Sequence, residues 1–399
     1  MEISILCKVV DNYGDIGVAY RLAKRLVKVC KSTESSQLNS SNQFNINLIV
    51  DDLQAFNKIC NTVSPEKGIQ LVEGISVYNW NDYALCYSEF SKNDGEKLAV
   101  ILECFQCGRP DWMEKILFED KLKRTVQVIM IDYLTAEPYA ETFHCLKSLT
   151  RSAKVQKVNF MPGFTEKTGG LIIDEDWNEL AERNKAGGVL VFTYEKNWQP
   201  LVEALEEVQA AQKPQVKNNI TQKKTILVAQ GRGQKSFLEA VNVVIQKAGE
   251  SADTEDCKLN VQVLPYMNQH DWDKLLRECS VLFIRGEESL SRACLSGIPF
   301  VWHAYPQSEE YQLVKVKALL ERIRPHFAPE DFEIIEKVWL NINSPESEVA
   351  DDKMKASCKS FLENADKLCY GYRDFALSLR KNGDLAQNLM TFIYKISIM

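Results

Sequence analysis

Three observations predict an α/β protein built of two Rossmann-like domains facing each other across a cleft. Apolar strands alternate with amphipathic helices along most of the chain. That alternation breaks once, in the acidic, polar residues 174–188 that close with Gly187-Gly188, and strands start afresh at 189–192. The length of 399 residues suits two to three domains of about 150 residues each. The expected domains are 1–182 and 183–381, with a last helix, 382–399, crossing back onto the first domain through Leu385, Leu389, Met390 and Ile393.

Residues 2–8 carry Ile3, Ile5, Leu6 and Cys7 and read as a buried strand. Ala19, Leu22, Ala23, Leu26, Val27 and Cys30 recur at three- and four-residue spacing, which lays an apolar stripe along a helix. Between them stands Val9-Val10-Asp11-Asn12-Tyr13-Gly14-Asp15-Ile16-Gly17, a turn that bears carboxylates. Gly14 and Gly17 are expected to turn the backbone sharply, since glycine permits φ > 0 and the close approach of a ligand. Asp11 and Asp15 then sit at the carboxyl end of the first strand, where open α/β sheets bind ligands. The plain alternative for Asp15 is a helix cap; Asp11, outside the helix, is harder to read that way.

The Ser/Asn-rich residues 32–43 read as a solvated connection. Strands are expected at 46–50, ending in Asp51-Asp52, and at 69–72, 98–103 and 126–133, of the parallel, doubly covered kind. The second domain repeats the logic with strands at 225–229, 259–264, 281–285 and 299–302, and 212–224 is a polar connection. Phe192 and Tyr194 end its first strand, where they serve either as core or as a platform for a base. Arg285-Gly286-Glu287-Glu288-Ser289 again joins an apolar strand to a helix. A helix N-terminus offers N–H groups to an anion, Arg285 adds a fixed positive fork, and Ser289 adds a hydroxyl. With Glu287 or Glu288 present to accept from ribose hydroxyls, the place suits a nucleotide better than free phosphate; a capped helix with a surface ion pair is the bland alternative. Gly231-Arg232-Gly233 has the form to approach a phosphate but reads more simply as a plain turn.

Composition narrows the classes. The apolar fraction of 45% is that of a globular protein, and there is neither a basic leader followed by an apolar run nor a stretch of membrane-spanning length, so a cytoplasmic protein is expected. A net charge of −7 without a Lys/Arg stripe argues against nucleic acid and suits a basic partner surface better. Twelve cysteines without regular spacing imply no disulfide framework. Gly14-x-x-Gly17 is not a dinucleotide fingerprint, Asp11-x-x-x-Asp15 fails the calcium-loop template, and Cys104-x-x-Cys107 has no second ligand pair for zinc. Neither a cofactor nor a metal is expected.

V-V-D-N-Y-G-D-I-G at residues 9–17, P-G-F-T-E-K-T-G-G-L at 162–171, F-T-Y-E at 192–195, L-P-Y-M-N-Q at 264–269 and R-G-E-E-S at 285–289 occur in one order along nearly the whole chain. Together they resemble the bacterial protein-arginine rhamnosyltransferases that modify elongation factor P, the EarP family. The resemblance implies a GT-B fold, a donor dTDP-β-L-rhamnose held mainly by the C-terminal domain, and inverting transfer onto one arginine of elongation factor P. It implies that Asp11 and Asp15 are the family's essential aspartates, with Asp15 ahead of Asp11 as general base. Tyr194, Gln269, Arg285, Glu287, Glu288 and Ser289 fall on its donor-binding positions; Gly14, Gly17 and Phe192 are grouped with them. The family commonly reads R-G-E-D-S, so Glu288 keeps the charge and lengthens the reach by one methylene. Residues 32–43 are longer than the family leads one to expect. The rival readings are a transferase for another nucleotide sugar or a small acceptor, and a nucleotide-dependent binding module without catalysis.

Overall fold

The computed structural model describes residues 1–10, 13–36, 44–211, 216–217, 220–221, 224–250 and 259–398. Asp11 and Asn12 therefore lie outside the described residues, as do 37–43 and most of 212–223. In order, the elements are β1 (Glu2–Cys7), α1 (Gly14–Ser36), β2 (Asn45–Val50), α2 (Leu53–Ile59), β3 (Ile69–Val72), β4 (Ile75–Asn79), α3 (Tyr83–Phe90), α4 (Lys92–Gly95), β5 (Val100–Cys104), α5 (Asp111–Phe118), β6 (Val126–Ile131), α6 (Tyr139–Phe143), β7 (Lys147–Ser148) and β8 (Val155–Phe160). Then follow β9 (Val189–Val191), α7 (Gln199–Ala211), β10 (Val216–Lys217), β11 (Ile220–Thr221), β12 (Ile226–Val228), α8 (Gln234–Glu250), β13 (Val261–Val263), α9 (Gln269–Glu278), β14 (Val281–Arg285), α10 (Glu287–Ser296) and β15 (Phe300–His303). Helices α11 (Tyr311–Ile323), α12 (Pro329–Asn343), α13 (Asp351–Lys381) and α14 (Leu385–Ile398) complete the chain.

Two units result, 1–178 with 379–399 and 179–378, where the sequence reading drew its limits at 182 and 381. In the first unit β1 is covered on both faces, because its alternate side chains enter different cores. Ile3, Ile5 and Cys7 pack with Ala19, Leu22 and Leu26 of α1, while Leu6 packs with Ile49, Ile101 and Trp112. The sheet order is β3-β4-β2-β1-β5-β6-β8-β7, parallel from β4 to β8 with antiparallel edges at β3 and β7. From β1 the chain adds strands on one side and then on the other. Its topological switch point lies between β1 and β5, and such a point opens a crevice at the carboxyl ends of the strands.

Leu385, Leu389, Met390 and Ile393 of α14 belong to the same core as β1 and α1. The return is fixed at its start by Asp384, which accepts from Arg25 Nε at 2.9 Å and from the Ile173 N–H at 2.9 Å.

The second unit holds a five-stranded parallel sheet of order β13-β12-β9-β14-β15, with its switch point between β9 and β14. β10 and β11 pair antiparallel. Several expectations need correction. β4, β7 and β8 were not anticipated, and β3 is antiparallel because Glu73 and Gly74, both at positive φ, make a tight hairpin turn to β4. Residues 32–36 continue α1 instead of opening a loop, and 212–224 contains the β10–β11 ribbon. Among the described residues no helix is long and apolar enough to cross a membrane.

Candidate functional site

Two groups of side chains gather at the two switch points. In the first unit Asp15 stands in the first turn of α1, where the helix dipole favours negative charge, and it is only 3% exposed. Its Oδ2 accepts from the Val10 N–H at 2.9 Å and its Oδ1 from the Tyr133 hydroxyl at 3.2 Å. The carboxylate thus ties the loop after β1 to the loop after β6. Asp51, after β2, holds the same loop by accepting from the Val9 N–H at 2.8 Å, and Asp52 caps α2. Tyr133 stacks on Phe105, after β5, with ring centroids 4.7 Å apart and planes 24° from parallel.

Two expectations change here. Asp15 is not an N-cap, since α1 begins one residue before it and its carboxylate reaches back to Val10. Gly14 and Gly17 lie inside α1, and Gly14 has no positive φ, so the sharp turn is not made there. A side chain at Gly14 would meet nothing within 4 Å, which leaves the helix entrance open. Both glycines belong to the first unit, apart from the other residues assigned to the donor. Asp11 falls outside the described residues.

Beneath Asp15, burial raises the Cys7 and Cys104 thiols well above their ordinary range and pushes Cys107 up to about 12. All three stay protonated near neutrality and are poor nucleophiles.

In the second unit the strand ends converge. Arg285, last in β14, lays its guanidinium 4.7 Å from the Phe192 ring centroid and 4.6 Å from that of Tyr194, both just after β9. Among the described residues the buried Arg285 Nε makes no hydrogen bond, so it is a donor that an anion can satisfy. Tyr194 is 3% exposed, a core position, whereas Phe192 is only half-buried. Tyr194 is held from behind, its N–H donating to His303 Nδ1 at 3.2 Å. Burial, with Lys196 and Arg285 nearby, pushes His303 down to about 3, so the ring is neutral and can accept.

Gly231, after β12, lets this group close up: a Cβ there would come within 3.0 Å of Phe192 and 3.1 Å of Arg285 Nη2. The 231–233 turn therefore packs directly against Phe192 and Arg285. Arg232 lies over the rings of Tyr194 and Tyr305 and pairs with Glu195 at 3.1 Å. Gly286 caps α10 with φ 74° and ψ 159°, a conformation that other residues resist. It aims the first N–H groups of α10 beside Arg285, with Glu287 and Glu288 in that first turn and Ser289 buried. Glu288 Oε1 lies 3.5 Å from Nε of the fully buried Arg292, so its longer reach meets a cation of its own helix. Gln269 begins α9, whose Trp272 packs edge-on against Phe192 at 5.0 Å.

The structure thus brings together Phe192, Tyr194, Arg285 and the start of α10, with α9 bringing Trp272 onto Phe192. Sequence reasoning missed Tyr133, Phe105, Trp272, His303 and Arg292. Only Arg292 had a local signal, its i,i+4 spacing from Glu288.

Known proteins resemble this chain over nearly its whole length. A family model described as Elongation-Factor P (EF-P) rhamnosyltransferase EarP matches residues 3–394. A protein-arginine rhamnosyltransferase of Pseudomonas aeruginosa is 31% identical over 358 residues, covering 85% of this chain and 86% of that one. Another, from Shewanella oneidensis, is 28% identical over 419 residues, covering 98% and 97%. A solved structure described as the structural basis for EarP-mediated arginine glycosylation of translation elongation factor EF-P is similar in fold. Its TM-score is 0.53 at 20% identity, over 98% of each chain.

Proposed function

The chain belongs to the EarP family of elongation-factor P rhamnosyltransferases, with the GT-B fold class of that family, and from that premise we propose its reaction. It transfers L-rhamnose from dTDP-β-L-rhamnose to an arginine side chain of translation elongation factor P, inverting the anomeric centre and using no metal ion. The observation that carries this reading is Asp15, a buried carboxylate held at a switch point by a backbone N–H and a tyrosine hydroxyl.

Arginine is a poor nucleophile because its guanidinium stays protonated and its lone pairs are delocalised. A carboxylate can orient the guanidinium by charge-assisted hydrogen bonds and take one proton from it. Asp15 fills that role, with Asp11 as the second carboxylate gripping the fork. As the proton passes to Asp15, the freed nitrogen pair forms the bond to the anomeric carbon. The bond from that carbon to the diphosphate breaks, and its electron pair leaves on the diphosphate oxygen. The product arginine remains a guanidinium, so the charge is balanced. A single displacement of this kind inverts the centre and needs no covalent enzyme carboxylate.

Negative charge grows on the departing diphosphate. Arg285, with its buried Nε, and the N-terminus of α10 supply the positive field for it. Phe192, Tyr194, Gln269, Glu287, Glu288 and Ser289 bind the nucleoside and sugar around them.

The test is the intact mass of elongation factor P after incubation with enzyme and donor. A gain of one deoxyhexose on an arginine is expected, with dTDP inhibiting more strongly than UDP or GDP. An unmodified acceptor would exclude the transferase reading, and stronger inhibition by UDP would reassign the donor.

A further inference from the structure

Two guanidinium groups share one aromatic ring in the second unit. Arg285 lies 4.6 Å from the Tyr194 ring centroid and Arg232 5.8 Å from it, so the two cations stand no further apart than those two distances together. Like charges drawn to one place repel unless an anion accompanies them. Glu195 meets that need for one of the two, pairing with Arg232 Nε at 3.1 Å. Against partial desolvation, the Glu195 carboxyl is held below its ordinary range by its own backbone N–H, by Arg232 and by the charge of Arg285. The carboxylate thus stands in the field of both guanidiniums.

The place of Arg232 is fixed by its two neighbours. The Gly233 N–H donates to the Thr193 carbonyl at 3.0 Å, and a Cβ at Gly233 would come within 2.5 Å of that oxygen. On the other side, a Cβ at Gly231 would stand 3.1 Å from Arg285 Nη2. Two glycines therefore clamp the turn to the segment after β9 and to Arg285, a closeness that a side chain would prevent. The residue between them lies over Tyr194 and also over Tyr305, 5.5 Å from that ring's centroid. The two cations differ in their partners. The buried Arg285 Nε makes no hydrogen bond among the described residues, whereas the Arg232 and Glu195 side chains are 44% and 52% exposed. An exposed ion pair is weak, and a phosphate that matches the guanidinium fork can replace it.

We propose that Arg232 is a specificity-determining residue of the donor site, exchanging Glu195 for the second phosphate of a nucleoside diphosphate while Arg285 and the start of α10 hold the first. This rests on the reading of the second unit as the donor site. A monophosphate satisfies Arg285 and leaves the Arg232–Glu195 pair closed. A diphosphate brings a second charged group joined through one bridging oxygen, and the second guanidinium over the same ring is the cation placed to meet it. Glu195 compensates Arg232 before the ligand arrives and returns to water afterwards. No covalent bond changes in this exchange.

The experiment is titration calorimetry of dTDP and of dTMP with the wild type, Arg232→Ala, Glu195→Gln and Arg285→Ala. Arg232→Ala is expected to weaken dTDP about ten-fold, the lower end of the range for a lost hydrogen bond to a charged group, and to leave dTMP within about two-fold of the wild type. Glu195→Gln removes the competing charge, so dTDP binds more tightly and dTMP is unaffected. Arg285→Ala weakens both nucleotides. A merely structural role for Arg232 would weaken both alike, so an unchanged ratio of the two affinities in Arg232→Ala would overturn the inference. Weaker dTDP binding by Glu195→Gln would overturn it as well, since the carboxylate would then be helping the ligand instead of yielding to it. A wild type that binds neither nucleotide would overturn the donor reading itself, an outcome distinct from these two.

Discussion

The guanidinium of Arg285 lies 4.6 Å from the centre of the Tyr194 ring, a contact between the last residue of β14 and the segment that follows β9. It spans the switch point of the second unit, and it sets the orientation of the positive fork before any ligand arrives. A planar cation stacked on aromatic faces cannot be replaced by a point charge. Arg285→Ala is expected to weaken dTDP binding roughly 10- to 100-fold, the range of a lost charge-assisted hydrogen bond. Arg285→Lys should recover little of it. Titration calorimetry reads this directly, and unchanged affinity in the alanine variant would move the diphosphate elsewhere.

Gly286 supplies a second expectation. Its φ of 74° with ψ of 159° falls in a region that is essentially restricted to glycine, at a strain of about 1–3 kcal/mol for other residues. A side chain there would meet nothing within 4 Å, so the cost of Gly286→Ala is conformational and not steric. The variant should lose thermal stability and weaken dTDP binding together, because the turn aims the start of α10. Loss of stability with unaltered affinity would separate the turn from the ligand.

How much of this was legible in the sequence follows from where each signal lies. The strand 2–8, the apolar stripe of α1 and the motif at 285–289 are local patterns, and the structure keeps them as β1, α1 and the β14–α10 junction. The face of α14 was legible for the same reason. By contrast, the bond from Tyr133 to Asp15 joins residues 118 positions apart. It depends on β5 and β6 lying beyond β1 in the sheet, which periodicity does not encode. Gly14 and Gly286 look alike as letters after a strand, yet one sits within a helix and the other bears the positive φ. Strand β4 was missed because its five residues follow β3 after a two-residue turn.

His303 makes stability depend on pH in a direction that can be derived. Its folded value of about 3 lies below the ordinary 6.5, so between these limits the unfolded chain binds a proton that the folded one does not. The stability it contributes is present above about pH 6.5 and is lost as the pH falls. From about pH 7 to about pH 5 the loss is about 2 kcal/mol. His303→Asn, which can still accept from the Tyr194 N–H, should show a flatter decline in thermal midpoint over that interval. Parallel declines would assign the acid sensitivity to other groups.

Asp384 anchors the return of the last helix. It is 5% exposed and pairs with Arg25, itself 8% exposed, while also accepting from the Ile173 N–H. Asp384→Ala leaves a buried guanidinium without its counter-charge, a change that costs about 3–5 kcal/mol. Denaturant unfolding followed by a probe in the first unit should show the loss. A cost below about 1 kcal/mol would mean that water reaches the pair, as it does for exposed ion pairs.

The central claim is that Asp15 takes the proton that makes an arginine nucleophilic. Single-turnover rhamnosylation of elongation factor P, with enzyme in excess and read by intact mass, tests it most directly in the wild type and Asp15→Asn. General-base removal is expected to slow the step by at least ~10²-fold. The account predicts one deoxyhexose added by the wild type and none on the same timescale by Asp15→Asn, with dTDP affinity equal in the two. Transfer by Asp15→Asn at the wild-type rate would contradict it.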